Sequence, residues 1–393
     1  PSGPAMADAV AVDREALDRA IHAAATYLHR SIDEDGRFIY RLDARTGEVI
    51  GARYNLLRHA GTVYALGMYH DEHPPNAEER GRIERSLRFM TSCCIRQVDE
   101  AEAAWAVWSP PALVGGRRSF AVAKLGGAAL GGLALLRASS HAGLATDHER
   151  LLGLGRFLVF MQRHDGEFHS LYAPELGGRD GRWQSLYYPG EAVLALIALY
   201  SHDRDPQWLR AAIDGLRALA RSRESGRGVP PDHWALIASA ALFDLPAAEL
   251  QAAAPYGVPM TQLKRLLHEH AGHIVRTMLA EARATKAGGR VCARGGFSGD
   301  GRSTPTATRL EGLLAIRHHL SDAQLRAEVD AVVEGAVAFI LPAQLSSGPE
   351  RGGFPRVVPQ CDSGTGRDAE VRIDYVQHVL SALLMFRQGL PVE

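Results

Sequence analysis

The chain is expected to be all-α, an (α/α)6 toroid of six helical hairpins with short β-hairpin decorations in the loops at its open end, on three observations. Six apolar helical stretches, each introduced by a short polar or aromatic run, recur at similar intervals along the 393 residues. Six amphipathic stretches of different texture, charged on one side, alternate with them. The apolar set is also rich in Gly and Ala, which lets helix backbones approach one another. A unit repeated in this way cannot bury its apolar side alone, so its neighbours must supply the rest of the core.

Taken in order, the first outer helix starts near Arg14, and the first inner stretch is YNLLRHAGTVYALGMY from Tyr54. The second outer helix starts near Asn76. Within it, IERSLRFMTSCCIRQ from Ile83 sets Leu87, Met90, Cys94 and Ile95 on one stripe and turns Arg85, Arg88 and Arg96 elsewhere, the pattern of a surface helix. The second inner stretch, SFAVAKLGGAALGGLALL from Ser119, is apolar or small all round at LGGAALGGLALL, as suits a helix surrounded by protein. The third pair starts near Asp147 and continues as SLYYPGEAVLALIALY from Ser185; the fourth starts near Pro206 and continues as PPDHWALIASAALF from Pro230. The fifth pairs a start near Met260 with STPTATRLEGLLAIRHHL from Ser303, and the sixth a start near Ser321 with VRIDYVQHVLSALLMF from Val371. Strands are scarce. GRFIYRL at Gly36 and GEFHSLY at Gly166 are the best candidates, each entered through an Asp-Gly turn.

Length alone allows two or three domains, but the repeat favours one. Residues 13–390 are therefore expected to form a single catalytic barrel, with residues 1–12 a tag remnant and flexible N-terminus, because PSGPAM resembles a protease-cleaved scar ahead of Met6. A removed signal peptide would leave no trace, so cytoplasm and periplasm both stay open, and oligomeric state is not legible. Lys and Arg number 44 against 45 Asp and Glu, which gives no long-range field to favour nucleic acid. No apolar run is long enough to predict membrane insertion. Among the four cysteines, Cys93 and Cys94 are placed mid-helix, where burial is the ordinary explanation, and Cys292 and Cys361 either pair or stand idle. Neither CxxC, HExxH nor an EF-hand loop occurs, so the default expectation is no metal and no cofactor, with calcium on scattered carboxylates left open because it needs no linear motif.

The outer-to-inner connections are the long, unusual ones. Examples are DEDGRFIYRLDARTGEVIGARYN, DGEFHSLYAPELGGRDGRWQS, AGGRVCARGGFSGDGRS and GPERGGFPRVVPQCDSGTGRDAE. Loops this long in a compact domain are usually functional or disordered, and their aromatic content argues against disorder. Their repeated Gly-Phe endings suggest loops that fold back and anchor a Phe in a structural role. At the inner-helix starts that receive the loops, polar residues replace the expected apolar ones: Tyr54, Asn55, Arg58 and His59; Lys124; Tyr187, Tyr188 and Glu191; Asp232, His233 and Trp234; Arg309 and Glu311; and Asp374, Tyr375, Gln377 and His378. Burying such groups is costly unless they are paired or face a wet cavity, so six helices repeating the cost imply a shared cavity. Each has a plainer explanation too. Asp232 and Asp374 can be first-turn acids favoured by the helix dipole, the arginines and acids an ion-paired core network, and His233 and His378 satisfied core histidines.

Glycosidic cleavage needs an acid on one side of the sugar and a base or nucleophile on the other, and Glu191, Asp232, Glu311 and Asp374 can supply such a pair. Glycoside hydrolysis is the first expectation, with Glu191 or Asp232 as acid and Asp374 or Glu311 as base. Uronate chemistry is the alternative: Arg58 or Arg309 neutralises a sugar carboxylate and a Tyr or His, with His59 and His378 among the candidates, removes the C5 proton. A glycan- or peptide-binding toroid without turnover is the third. The remaining polar and aromatic residues are assigned to carbohydrate binding.

This layout resembles the (α/α)6-toroid carbohydrate-active enzymes, an assemblage of glycoside hydrolases, polysaccharide lyases and sugar epimerases. The resemblance runs from about Arg14 to Arg387 and rests on helix alternation, on Asp35-Gly36-Arg37-Phe38 and Asp165-Gly166-Glu167-Phe168, and on the YYPGEA segment at Tyr187. It implies a sugar substrate and a site in the barrel mouth. Function taken from fold alone is analogy.

Overall fold

Helix starts follow from capping chemistry. In the computed structural model, which describes residues 13–390 except 52, 100, 116–118 and 365, twelve main helices alternate along the described residues. The odd-numbered, outer ones are α1 (Arg14–Arg30), α3 (Ala77–Cys93), α5 (His148–Phe160), α7 (Pro206–Ser222), α9 (Met260–Gly288) and α11 (Ala323–Ile340). The even-numbered, inner ones are α2 (Leu56–His70), α4 (Leu125–Ala138), α6 (Tyr188–Asp203), α8 (His233–Phe243), α10 (Ser303–Ile316) and α12 (Ile373–Gln388). Seven of these start under an Asp or Asn whose side chain accepts from a first-turn amide: Asp13, Asn55, Asn76, Asp147, Asp205, Asp232 and Asp322. Asn76 and Glu79 complete a reciprocal capping box. The residues 1–12 assigned to a tag remnant lie outside the described residues.

Each inner helix packs on the inner helices before and after it, and α12 returns to α2, which closes the ring. Small residues permit this approach. A Cβ on Gly190 of α6 would lie 2.6 Å from the backbone nitrogen of Ala235 in α8, so only a bare Cα fits there. No single helix among the described residues is long and apolar enough to cross a membrane.

The Gly-Phe loops do what their repetition implied. Phe38, Phe168, Phe297 and Phe354 are all buried. Each is preceded by a glycine at positive φ whose Cα rests on a carbonyl of a neighbouring outer helix, as Gly36 does on Arg85 of α3. At Gly36, φ is +82° and an added Cβ would sit 2.2 Å from the Arg85 carbonyl oxygen. Left-handed strain and the backbone clash then act together. Gly36→Ala should lower unfolding free energy by about 3 kcal/mol, measured by urea denaturation; a change within error would show that this contact does not tie the hairpins together.

The expected decorations are present, and their pairing reaches further than single hairpins. Bridges Ile32 to Phe38 and Gln162 to Phe168 close the two Asp-Gly turns. Strand β1 (Arg41–Asp43) pairs antiparallel with the distant β7 (Glu370–Arg372), drawing the first and last loops together. Strands β2 (Ile95–Gln97), β3 (Trp105–Ser109), β4 (Val122–Lys124), β5 (Leu171–Ala173) and β6 (Gly178–Asp180) form one antiparallel sheet in that order. Because β4 runs directly into α4, the sheet sets the position of Lys124. Cys93 and Cys94 stand at the C-terminal end of α3 rather than mid-helix, and Cys93 is exposed. They are bonded to each other, and Cys292 is bonded to Cys361. The second bond ties the loop before α10 to the loop before α12.

Candidate active site

At the end of the ring where the long loops gather lies a cavity of about 550 Å³ to which all six inner helices or their entry segments contribute. Twelve of the seventeen candidate residues line it: Asn55, Arg58, Tyr187, Tyr188, Glu191, His233, Trp234, Arg309, Asp374, Tyr375, Gln377 and His378. The inner-helix starts converge as their polarity implied. Five candidates lie elsewhere, and the reasons are physical.

Asp232 is fully buried behind the wall, where it caps α8 through the Ala235 amide at 3.1 Å and pairs with Arg223 at 3.0 Å. Its carboxylate is used by the fold, which corrects its assignment as a catalytic acid. His59 is likewise enclosed: Nδ1 meets the Tyr54 hydroxyl at 2.7 Å and Nε2 the Ser86 carbonyl at 3.1 Å. It is a satisfied core histidine, not a cavity base. Tyr54 accepts from the Phe38 amide at 2.9 Å and, like Lys124, borders a neighbouring chamber rather than this one. Glu311 is the fifth. It lies just under the cavity wall, 2.8 Å from Nδ1 of His378 and 3.8 Å from Nε2 of His233.

That trio is the most distinctive chemistry in the molecule. His233 opens α8, is 2% exposed, and neither ring nitrogen has a hydrogen-bond partner. Leaving a buried polar group unpaired costs roughly 1–3 kcal/mol, so the fold gains nothing from an imidazole there. Burial, then the charges of His378 and Arg309, hold its pKa well below the ordinary value, and the ring is neutral. Burial also opposes charge on His378, but the adjoining Glu311 carboxylate outweighs it and raises His378 above its usual range. Burial pulls Glu311 upward as well, against His378, so the two groups hold a proton between them across the 2.8 Å contact. The two rings are 5.6 Å apart and nearly perpendicular, and Tyr187 packs edge-on to His233 at 5.1 Å. Single ligand atoms of His233, Glu311 and His378 lie within 4.8 Å of one another, so these three are also where a metal ion would find donors among the described residues.

Glu191 faces α4 across Gly126, where an added Cβ would fall 2.0 Å from its carboxyl oxygen. One oxygen has no partner. Burial, with Asp232 adding, pushes its pKa up to about 8, so it is a neutral acid at pH 7. Asp374, by contrast, has partners on both carboxylate oxygens. Arg372 grips it through two bonds of 2.5 and 2.9 Å, and Arg58 approaches at 3.2 Å. Arg309 is held by Glu281 at 2.9 and 3.2 Å. The Tyr375 hydroxyl donates to Glu370 at 3.2 Å, and the Gln377 amide lies 3.4 Å from His378.

Arg302, Arg356, Arg367 and Arg372 also line the cavity and were not picked out from the sequence. The first three come from loops whose direction depends on the disulfide-tied entry to α10 and α12. Arg372 had a local signal, since it precedes Asp374 by two residues at a helix start. Arginines thus dominate the charged lining, while of the two lining acids Glu191 is neutral and Asp374 is paired.

No protein-family profile and no curated sequence relative matches this chain. The fold is shared with solved structures at low identity. D-mannose isomerase aligns at 12% identity over 99% of this chain and 100% of that one, with a TM-score of 0.64. Cellobiose 2-epimerase from Spirochaeta thermophila aligns at 14% identity over 95% and 96%, with a TM-score of 0.64. An α-1,6-mannanase from a Salegentibacter species aligns at 11% identity over 94% and 98%, with a TM-score of 0.59. The chain therefore has the (α/α)6-toroid architecture found in sugar isomerases, epimerases and glycoside hydrolases.

Proposed function

We propose that this protein is a carbohydrate-active enzyme of the epimerase or isomerase type, moving a proton off and back onto a sugar carbon next to a carbonyl group. The observation that carries this proposal is the His233, Glu311 and His378 array at the cavity wall, its first two members buried and His378 half-buried. Such a reaction needs one neutral base and one charged acid at the same pH. His233, held neutral, is suited to take the carbon-bound proton. His378, held charged by Glu311 through Nδ1, leaves Nε2 to protonate the carbonyl oxygen. The enediol so formed collapses in reverse. As His378 takes a proton back from the hydroxyl that becomes the new carbonyl, His233 returns its proton to the neighbouring carbon, which moves the carbonyl, or to the original carbon after the enediol has rotated to offer its other face, which inverts that centre. Atoms balance without any co-reactant, and the likeness to proteins named as a mannose isomerase and a cellobiose epimerase supports the same assignment.

Hydrolysis, the first expectation from sequence, is the second reading. It is favoured by Glu191, a neutral buried acid, and by the likeness to a mannanase. Its support is weaker because the second carboxylate is lacking: Asp374 is clamped by two arginines, Asp232 is used as a cap, and Glu311 is bonded to His378. A panel of reducing mono- and disaccharides separates the two. Products that are epimers or ketose isomers, with no gain in reducing ends and no ultraviolet-absorbing unsaturated sugar, are expected; new reducing ends would instead establish hydrolysis, and unsaturated products a lyase.

A further inference from the structure

The three residues assigned to proton transfer also have the composition and spacing of a transition-metal site. Glu311 Oε2 lies 2.8 Å from His378 Nδ1 and 3.8 Å from His233 Nε2, and one ligand atom from each residue falls within 4.8 Å of the others. An ion such as Zn²⁺, with bonds of roughly 2.0–2.1 Å in tetrahedral geometry, sets its ligand atoms about 3.3 Å apart. The 2.8 and 3.8 Å separations bracket that figure, so modest side-chain rotations bring the three donors onto one ion. Two imidazoles and one carboxylate suit zinc, whereas magnesium and calcium take oxygen ligands.

His233 is the decisive member. Buried at the start of α8, it has no hydrogen bond on either ring nitrogen, so a lone pair is available in the wall with no partner to displace. His233 and His378 both line the cavity, which leaves an ion held there a coordination position on the cavity side. Two features limit its affinity. A ligating imidazole is ordinarily oriented by a hydrogen bond from its other ring nitrogen, and His233 lacks one. Arg309 and Arg58, whose charges reach His233 and His378, repel a cation, although Glu281 and Asp374 pair with them. Such an ion exchanges with solvent instead of staying as a resident part of the fold.

We infer that His233, Glu311 and His378 bind one divalent transition-metal ion of the zinc class, and that the bound ion switches the enzyme off. The inference rests on the proton-transfer assignment, because the ion engages the same groups. It takes the His233 lone pair that would accept the carbon-bound proton. It also displaces the proton shared by Glu311 and His378, so one proton leaves as each ion enters. Base and acid are then both occupied, and the ion stands between the array and the sugar.

The test is calorimetric titration of the EDTA-dialysed full chain with ZnCl₂ and, separately, with MgCl₂, followed by turnover of the reducing-sugar panel across the same zinc concentrations. Zn²⁺ should bind at the array at least about tenfold tighter than Mg²⁺. Turnover should fall in step with the zinc binding curve and return when EDTA removes the ion. His233→Gln should weaken zinc binding roughly tenfold or more, with the melting temperature unchanged. His202→Gln, which removes the exposed His148 and His202 pair outside the ring, should leave the inhibition as in wild type. Zinc binding that is lost in His202→Gln and kept in His233→Gln would overturn the inference. The two levels fail separately. Turnover by the metal-free protein that saturating zinc does not slow removes this inference alone; zinc bound at the array, with no sugar of the panel turned over by the metal-free protein, removes the proton-transfer assignment on which it rests.

Discussion

His378→Asn should reduce kcat/KM by roughly 10²–10⁴-fold, the usual contribution of a positioned proton-transfer group, while leaving the melting temperature close to wild type. The residue borders the cavity, and Asn keeps a polar group near Glu311, so the fold loses little. Glu311→Gln provides the companion result. Glu311 is buried under the wall and acts through His378, as a positioning residue, so a smaller loss in rate is expected together with a distinctive shift in the pH profile. The Glu311 carboxylate raises His378 above its usual range against the pull of burial. Removing that charge lowers the His378 pKa, and the alkaline limb of the profile should move to lower pH. A purely structural Glu311 would lower the amount of active enzyme without moving that limb.

Acid sensitivity is the second large effect. Burial lowers His29 and His270 to about 3 and His59 to about 4. His70 and Arg82 add to the shift at His29, and Arg223 and His273 add to it at His270. Groups whose folded pKa is depressed bind protons more readily in the unfolded chain, so their cost grows as pH falls below the unfolded value near 6.5. Glu191 works in the other direction. Its folded pKa of about 8 means the folded state holds a proton that the unfolded chain lacks above about 4.5, which stabilises the fold as pH falls. Among these four groups, three protons taken up on unfolding against one released leaves a net of two, or about 3 kcal/mol lost per pH unit between roughly 6.5 and 4.5; His233 adds to that loss, and Asp232, Glu311 and His378 offset part of it. That rate, sustained over one or two units, is comparable to the whole stability of a typical domain. Urea denaturation at pH 7 and at pH 5.5 measures it, and His59→Gln should make the dependence shallower. A flat stability profile across that range would mean that these imidazoles are not buried neutral.

The helices were legible because each carries its own signal. Asp or Asn caps, apolar stripes on the outer set and all-round apolar character in α4 are local properties, and the ring is the way for six such pairs to bury what they expose. The Gly-Phe loops were legible for the same reason, since a glycine forced by the Arg85 carbonyl is written at one position. Pairings that join distant segments were not. Strands of three residues such as β1 and β7 have no periodicity to detect, and their register is set by the loops they connect. The site followed the same division. That polar residues at inner-helix starts would meet in one cavity could be read from the sequence, but which of them would remain free for chemistry could not. Asp232 and His59 carry the same local signature as His378, and only their partners, Arg223 for one and Tyr54 with Ser86 for the other, remove them from the cavity.

The central claim is that the His233, Glu311 and His378 array transfers a proton to and from carbon. The most direct measurement is to incubate wild-type protein with its saccharide substrate in heavy water and follow the sugar by proton NMR. Loss of one carbon-bound proton signal, at the carbon that changes configuration or next to the carbonyl that moves, with deuterium found there in recovered substrate and product, is the predicted result. Turnover that leaves every carbon-bound proton in place, with solvent oxygen entering at the anomeric carbon instead, would contradict it.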